Sequence, residues 1–251
     1  MLPRSFIHLP GVGYATERRL WEAGLTTWAD LRGHQGRLGG VSPRRLAEWQ
    51  AQTEQCERAL AARDHAFFAR ALPTRDHWRA FTTFGRQPAY VDIESTGTGI
   101  WAAVTVVGIW DGNRMSTFVA DDNMDECGEV LAGYGFLVTF NGSTFDLPML
   151  RRRFPGLPHD QLHVDLRFAL ARLGLRGGLK AVETQLGMHR DDDLAGLDGW
   201  DAMRLWHEYR EGDEAALDLL VRYNAADVRN LEYLMEYAYE RLRAEALGEP
   251  S

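Results

Sequence analysis

The sequence has only two cysteines, Cys56 and Cys127. They are too few and too far apart for a disulfide framework or a zinc-binding spacing. The eight histidines form no zinc-ligand pattern either. No apolar run approaches the roughly 20 residues that a helix needs to span a bilayer. The stretch Met1-Leu2-Pro3-Arg4-Ser5 lacks the apolar core of a secretory signal. Together these absences argue against a disulfide-stapled secreted domain, a zinc module and a membrane protein; a reducing cytoplasm is the expected location. Lysine is nearly missing as well: Lys180 stands alone against 27 arginines. Arginine suits bidentate phosphate contacts, although genomic base composition explains such a bias equally well. Internal repeats and low-complexity segments are also lacking.

What remains is ample for a core. The chain has 251 residues, 45% of them hydrophobic and 25% charged, enough for one large domain or a medium domain with a small one. The net charge of −8 argues against a protein that coats nucleic acid non-specifically. That charge is unevenly spread, with residues 1–80 at +4 and the remainder at −12. Bound metal would neutralise part of the negative charge.

Three short segments concentrate the chemistry. Tyr90-Val91-Asp92-Ile93-Glu94 reads as a strand, and alternation puts Asp92 and Glu94 on one side of it. Asn141-Gly142-Ser143-Thr144-Phe145-Asp146 follows the apolar strand Phe136–Phe140, at the end of a strand where α/β sheets place their sites. Tyr223-Asn224-Ala225-Ala226-Asp227 reads as helix, so Tyr223 and Asp227, four apart, share a face. Any one of these patterns arises often by chance in a chain with 36 acidic residues. Yet carboxylates inside an apolar strand are rare unless paired or metal-bound. Clustered carboxylates repel one another, and a hard divalent cation such as Mg²⁺ or Mn²⁺ relieves that repulsion through oxygen ligands.

In order and spacing these segments resemble motifs I, II and III of the DEDD 3′–5′ exonucleases of the RNase H-like superfamily. Motif I there is Asp-x-Glu, met by Asp92 and Glu94. Motif II is met by Asn141, Phe145 and Asp146. Motif III divides the superfamily, and Tyr223 four before Asp227, with Arg222 five before, indicates the tyrosine branch (DEDDy). His163-Val164-Asp165-Leu166 and Gly178-Leu179-Lys180-Ala181-Val182-Glu183 further resemble the YprB-like group. The resemblance covers roughly residues 85–240.

The resemblance implies a mixed five-stranded sheet flanked by helices and a two-metal hydrolase, with two Mg²⁺ or Mn²⁺ ions held by Asp92, Glu94, Asp146 and Asp227. Asp92 would bridge the ions, and Tyr223 would orient the attacking water. Asn141 and Thr96 are expected to contact substrate, while Phe145 packs. The implied reaction is release of nucleoside 5′-monophosphates from a 3′ end. The chemistry serves both polymers, and an N-terminal hairpin-like element tilts the expectation to DNA over RNA, with single strands expected over duplex. The alternatives are an exoribonuclease and a non-catalytic nucleic-acid-binding or scaffold protein on the same fold. Asp165 is a candidate for supporting the site or simply a strand end. Arg190 and Lys180 are candidates for meeting phosphate, and Asp191-Asp192-Asp193 reads as a solvated loop.

Two regions are expected: a helical one, 1–84, and the nuclease-like one, 85–251. Leu9-Pro10-Gly11-Val12-Gly13 is a Gly-rich turn leading into a helix from about Tyr14 to Ala23. Gly24 stops that helix, and Thr27-Trp28-Ala29-Asp30 resembles a capping box. The unit resembles a helix-hairpin-helix element, in which amides of Gly11 and Gly13, with Arg18 and Arg19 nearby, would meet a nucleic-acid backbone. A purely structural turn is the alternative, because few residues precede the hairpin. Ser42-Pro43 opens an expected long helix to about Leu72, with Leu46, Trp49, Cys56, Leu60 and Phe67 facing inward, and Thr74 caps a short helix through Phe84.

From Gln87 the pattern turns to strands: Ala89–Ile93, Ile100–Trp110 and Met115–Ala120, the last two joined by the turn Asp111-Gly112-Asn113. Gly97-Thr98-Gly99-Ile100-Trp101-Ala102 fits a dinucleotide-binding pattern. That pattern needs a helix after the glycines, whereas Val104-Thr105-Val106-Val107 reads as strand.

Overall fold

The computed structural model describes residues 1–85 and 87–249. The chain divides into two compact units, Met1–Arg86 with Asp160–Leu162, and Gln87–His159 with His163–Ser251.

The first unit is helical. A single 3-10 turn, Leu2–Arg4, precedes the Gly-rich turn. Helix α1 (Tyr14–Glu22) starts from Gly13 as its N-cap, and Gly24 at φ +82° ends it. Helix α2 (Trp28–Gly33) carries the capping box, formed reciprocally by Thr27 and Asp30. The long helix expected from Ser42 is broken. Helix α3 runs Pro43–Ala61, and Arg63, at φ +53°, turns the chain before Asp64 caps α4 (His65–Ala71) by accepting from Phe67 N at 2.8 Å. A local aspartate cap outcompetes continuation of the periodicity there. Trp49, Cys56 and Phe68 are fully inside; Leu46, Leu60 and Phe67 are half-buried. Residues Thr74–Ala80 form a 3-10 helix with Pro73, rather than Thr74, at its cap, and α5 (Phe81–Phe84) follows. An ion network fixes this unit's interior. The Glu17 carboxylate accepts from Phe6 N at 2.6 Å and from Arg79 Nη1 at 2.9 Å, and both side chains are 2% exposed.

The second unit holds the sheet. Strands β1 (Ala89–Ser95), β2 (Val104–Trp110), β3 (Met115–Val119), β4 (Phe136–Thr139) and β5 (Leu162–Asp165) lie in the order β3-β2-β1-β4-β5. The β1–β2 and β2–β3 pairs are antiparallel and β1–β4 is parallel, the mixed arrangement expected. The β2–β3 turn is closed by Asp111 Oδ1, which accepts from the amides of Asn113 and Arg114 at 2.9 and 2.8 Å. Strand β2 starts at Val104 rather than Ile100. Residues 97–103 form a loop closed by Thr96 N to Ala103 O at 2.9 Å, and Ile100 and Trp101 stand exposed on it. Gly97, at φ +152°, makes that departure from the strand. No helix follows these glycines, so the dinucleotide pattern lacks its required setting.

Helices α6 (Cys127–Ala132), α7 (Asp146–Arg153), α8 (Leu166–Arg172), α9 (Leu179–Gln185), α10 (Gly199–Arg210) and α11 (Glu214–Leu247) flank the sheet. One core packs β1, β2 and β4 against α6 and α7 through Val91, Ile93, Val107, Leu131, Leu137 and Leu150. The other buries Val106, Leu205, Trp206, Leu220 and Tyr223. The sheet is therefore covered by helices on both faces, which is why β1 reads as a nearly unbroken apolar run interrupted by its two carboxylates.

Candidate metal centre

Asp92 and Glu94 project from β1 toward α11, which supplies Asp227. One carboxylate oxygen from each of the three lies within 4.8 Å of the others. Glu94 and Asp227 are buried, 7% and 6% exposed, and Asp92 is half-buried. Asp146, the first residue of α7 and 3% exposed, stands outside this trio, yet its charge acts on both Asp92 and Glu94. Tyr223, one turn before Asp227 on α11, is 5% exposed. The first and third segments thus bring Asp92, Glu94 and Asp227 together, with Asp146 of the second segment outside the trio.

Strand pairing explains how α11 comes so close. Gly108 on β2 lies opposite Asp92. A Cβ there would sit 2.2 Å from Asn224 Oδ1 and 2.8 Å from Val228 Cγ2. Only glycine lets α11 lie this near the sheet. Asn224, fully buried, then donates to Asp92 Oδ2 at 3.0 Å and to the Asp92 carbonyl at 3.3 Å. The sequence reading missed this residue; the available signal was an unexplained glycine inside a β-branched strand.

Crowding perturbs every acid. Burial, then Asp227, Glu94 and Asp146, raise the Asp92 pKa well above the usual carboxylate range. Glu94 is pushed up to about 8 by burial and by Asp227, and Asp146 to about 7, chiefly by burial. Asp227 is also raised by burial, against the opposing pull of Arg190. Burial and the carboxylates of Asp227, Glu94 and Asp92 push the Tyr223 hydroxyl far above its ordinary value, so it stays protonated.

Lys180 and Arg190, the two candidates for meeting phosphate, stand beside the cluster, each engaged with side chains there. Arg190 Nε and Nη2 donate to Glu183 at 2.7 and 2.6 Å, and Nη1 forms an ion pair with Asp227 that is not aligned as a hydrogen bond. Glu183 also accepts from Asn230 at 2.8 Å. Lys180 Nζ donates to Tyr223 Oη at 2.9 Å and lies 4.5 Å from its ring centre. Two positive charges thus face the five carboxylates of Asp92, Glu94, Asp146, Glu183 and Asp227. Asp227 Oδ1 is taken up in the Arg190 ion pair, while Glu94 Oε1 and Asp146 Oδ1 are buried without a hydrogen bond among the described residues. Such orphaned hard oxygens fit a divalent cation of the Mg²⁺ or Mn²⁺ type.

The remaining predicted residues surround this centre. Asn141 takes φ +67° at the end of β4, a left-handed turn that asparagine tolerates. Its Oδ1 accepts from Arg167 at 2.6 Å and Thr144 at 2.9 Å. Asp165 anchors the turn by accepting from Asn141 N, Ser143 N and Ser143 Oγ at 2.8, 3.0 and 2.5 Å. Asp165 therefore shapes the loop that leads to Asp146. Phe145 packs on the core. Thr96 is exposed, and its hydroxyl accepts from Ala103 N at 3.0 Å. Glu94, Thr96, Asn141, Phe145, Trp200 and Met203 are among the residues lining an open pocket of about 660 Å³. Asp191, Asp192 and Asp193 are exposed as expected, with Asp193 paired to Arg222.

In the first unit, Gly11 takes φ +74° and Gly13 caps α1. Neither amide has a hydrogen-bond partner among the described residues. Helix α3 pins the hairpin from behind, with Arg45 and Trp49 donating to Pro10 O at 3.1 and 3.0 Å. Arg18 and Arg19 are exposed.

No curated protein matches the chain. A family model does match, described as RNase H superfamily and aligned over residues 89–239, more than half of the chain and nearly all of the sheet-containing unit. The match spans β1 through most of α11, the elements that carry Asp92, Glu94, Asp146 and Asp227. The chain belongs to the RNase H superfamily.

Proposed function

We propose that this protein is a metal-dependent 3′–5′ exonuclease of the DEDDy, YprB-like kind, acting on single-stranded DNA in preference to RNA. The observation that carries the reading is the trio of buried Glu94 and Asp227 with half-buried Asp92, and Asp146 and Tyr223 beside it. Burying this many carboxylates together costs stability. A folded protein retains such a cluster when binding or chemistry requires it. Two divalent cations, when bound, would activate water and stabilise the leaving oxygen of an in-line displacement.

The chain's own groups divide the remaining work. Asp92, Glu94, Asp227 and Asp146 would hold the ions. Asn224 fixes the Asp92 carboxylate by hydrogen bond. Tyr223 stays protonated and so is not available as a base, and it would orient a water or a phosphate oxygen by donating a hydrogen bond. Thr96 and Asn141, on the open pocket beside Glu94, would receive the terminal nucleotide. The free amides of Gly11 and Gly13, together with Arg18 and Arg19, support a backbone grip by the first unit. That element is what favours DNA.

The test is degradation of end-labelled single- and double-stranded DNA and RNA in Mg²⁺, Mn²⁺ or EDTA. Stepwise loss of 5′-monophosphates from the 3′ end, blocked by EDTA and by a 3′ block, is expected. Asp92→Asn, Asp146→Asn and Asp227→Asn should each lower turnover by about a hundredfold or more, since each acts through the ions. Hydrolysis that persists in EDTA, or starts equally from 5′ ends, refutes the assignment.

A further inference from the structure

Helix α9 and the segment after it grip one face of α11 at successive turns. Lys180 reaches Tyr223, Arg190 reaches Asp227, and Glu183 reaches Asn230. Glu183 is 3% exposed and is held twice more by the Arg190 fork, so the bracket is rigid where it meets the helix. Lys180, three residues before Glu183 on the same face of α9, is held over the Tyr223 ring with its ammonium 2.9 Å from the hydroxyl.

The direction of that last hydrogen bond matters. An ammonium can only donate, while a phenol has one proton and two lone pairs. Tyr223 must therefore accept from Lys180, and its single proton is left for another acceptor. The charged groups that act on the hydroxyl, besides the two cations, are the carboxylates of Asp227, Glu94 and Asp92, which are acceptors. We propose that Lys180 is a positioning residue for the reaction: by occupying an acceptor position of Tyr223 it commits the hydroxyl proton to the reacting phosphodiester or its attacking water. This rests on the nuclease reading above and assigns Lys180 a role exerted through Tyr223 rather than by contact with substrate.

A double-mutant cycle on turnover decides it, using Lys180→Met, Tyr223→Phe and the double variant in the full chain. Lys180→Met should lower kcat about tenfold, the worth of one well-placed hydrogen bond, with KM little changed. The double variant should be no slower than Tyr223→Phe alone, because without the hydroxyl there is nothing left to orient. Lys180→Arg, which still donates, should recover most of the rate. Mn²⁺ affinity by calorimetry should not fall in Lys180→Met, since no carboxylate is touched. Losses that multiply in the double variant, or a KM rise with kcat unchanged, would show Lys180 holding phosphate itself and overturn the proposal. A Mn²⁺ affinity that drops as far as in Asp227→Asn overturns it too. In either case a wild type that cleaves leaves the nuclease reading intact. A wild type that hydrolyses no nucleic acid with either metal removes both.

Discussion

In EDTA, raising the pH from 6.5 to 8 should lower the melting temperature of the sheet-containing unit. Glu94 has an ordinary pKa of 4.5 and is pushed up to about 8 in the folded chain, first by burial and then by Asp227. A carboxyl whose folded pKa is raised keeps its proton in the native state after the unfolded chain has lost it. Its contribution to stability is complete below 4.5 and declines as pH rises to about 8. Each pH unit within that span is worth about 1.4 kcal/mol, so the upper 1.5 units remove about 2 kcal/mol through Glu94 alone. Asp146, raised to about 7, adds to the loss only at the low end of the window. His8, in the other unit, works in the opposite direction. Burial and then Arg79 lower its pKa from 6.5 to about 4, so its contribution is lost as pH falls below 6.5 and is constant above. The window from 6.5 to 8 therefore isolates the carboxylates. For a unit of this size about 2 kcal/mol corresponds to about 4–8 °C. The assay is thermal unfolding by circular dichroism in EDTA at fixed ionic strength, repeated with saturating Mn²⁺ and with Glu94→Gln. Metal binding displaces the protons, so Mn²⁺ should remove most of the slope as well as raise the midpoint. Glu94→Gln should flatten the slope in EDTA. A midpoint that stays level or climbs from 6.5 to 8 in EDTA, or an unchanged slope in Glu94→Gln, would refute the reasoning.

Tyr223→Phe should lower turnover while leaving calorimetric Mn²⁺ affinity almost unchanged, because the ring is kept and no ligand is lost; an affinity loss equal to that of Asp227→Asn would contradict its assigned role. Gly108→Ala should destabilise the sheet-containing unit by about 1–3 kcal/mol, since its methyl would overlap Asn224 and Val228. An unchanged urea midpoint would mean that α11 yields freely there. Removing Arg18 and Arg19 should reduce the salt dependence of nucleic-acid binding by roughly 0.7–0.9 in log–log slope for each phosphate released. In an Asp92→Asn background, bulkier residues at Gly11 and Gly13 should weaken binding to all sequences alike. Equal affinity and slope would leave the hairpin a structural turn.

The positions of Asp92, Glu94, Tyr223 and Asp227 were legible because each pair obeys a local period. Two residues along a strand and four along a helix fix a shared face before any tertiary contact is known. Individual strands were readable for a related reason, since β-branched runs and the Asp111-Gly112-Asn113 turn are local signals, whereas the mixed five-stranded sheet came only as what the resemblance implied. Errors fell where a short-range competitor intervened. Asp64 capped a new helix inside an amphipathic pattern, and the loop opened at Gly97 kept residues 100–103 out of β2. Long-range partners left no such trace. In sequence Arg190 is a candidate for meeting phosphate and Glu183 only the end of a YprB-like segment, and packing against α11 is what joins them into a buried fork beside Asp227 and Asn230.

Gly108 and Asn224 carry the argument one step further. A glycine in the middle of a central strand weakens it, and a buried asparagine must be desolvated. Both costs disappear if α11 moves outward by the width of a side chain, a change open to any sequence that places alanine or valine at 108. The close approach instead brings Asn224 within hydrogen-bond reach of Asp92 and sets Asp227 within 4.8 Å of Asp92 and Glu94. Proximity of that kind further destabilises the metal-free chain through carboxylate repulsion. Three separate costs converge on one arrangement whose structural benefit is small. They are coherent when the arrangement is a cation site, since an ion there turns the repulsion into binding energy and rewards the shortest approach of helix to strand.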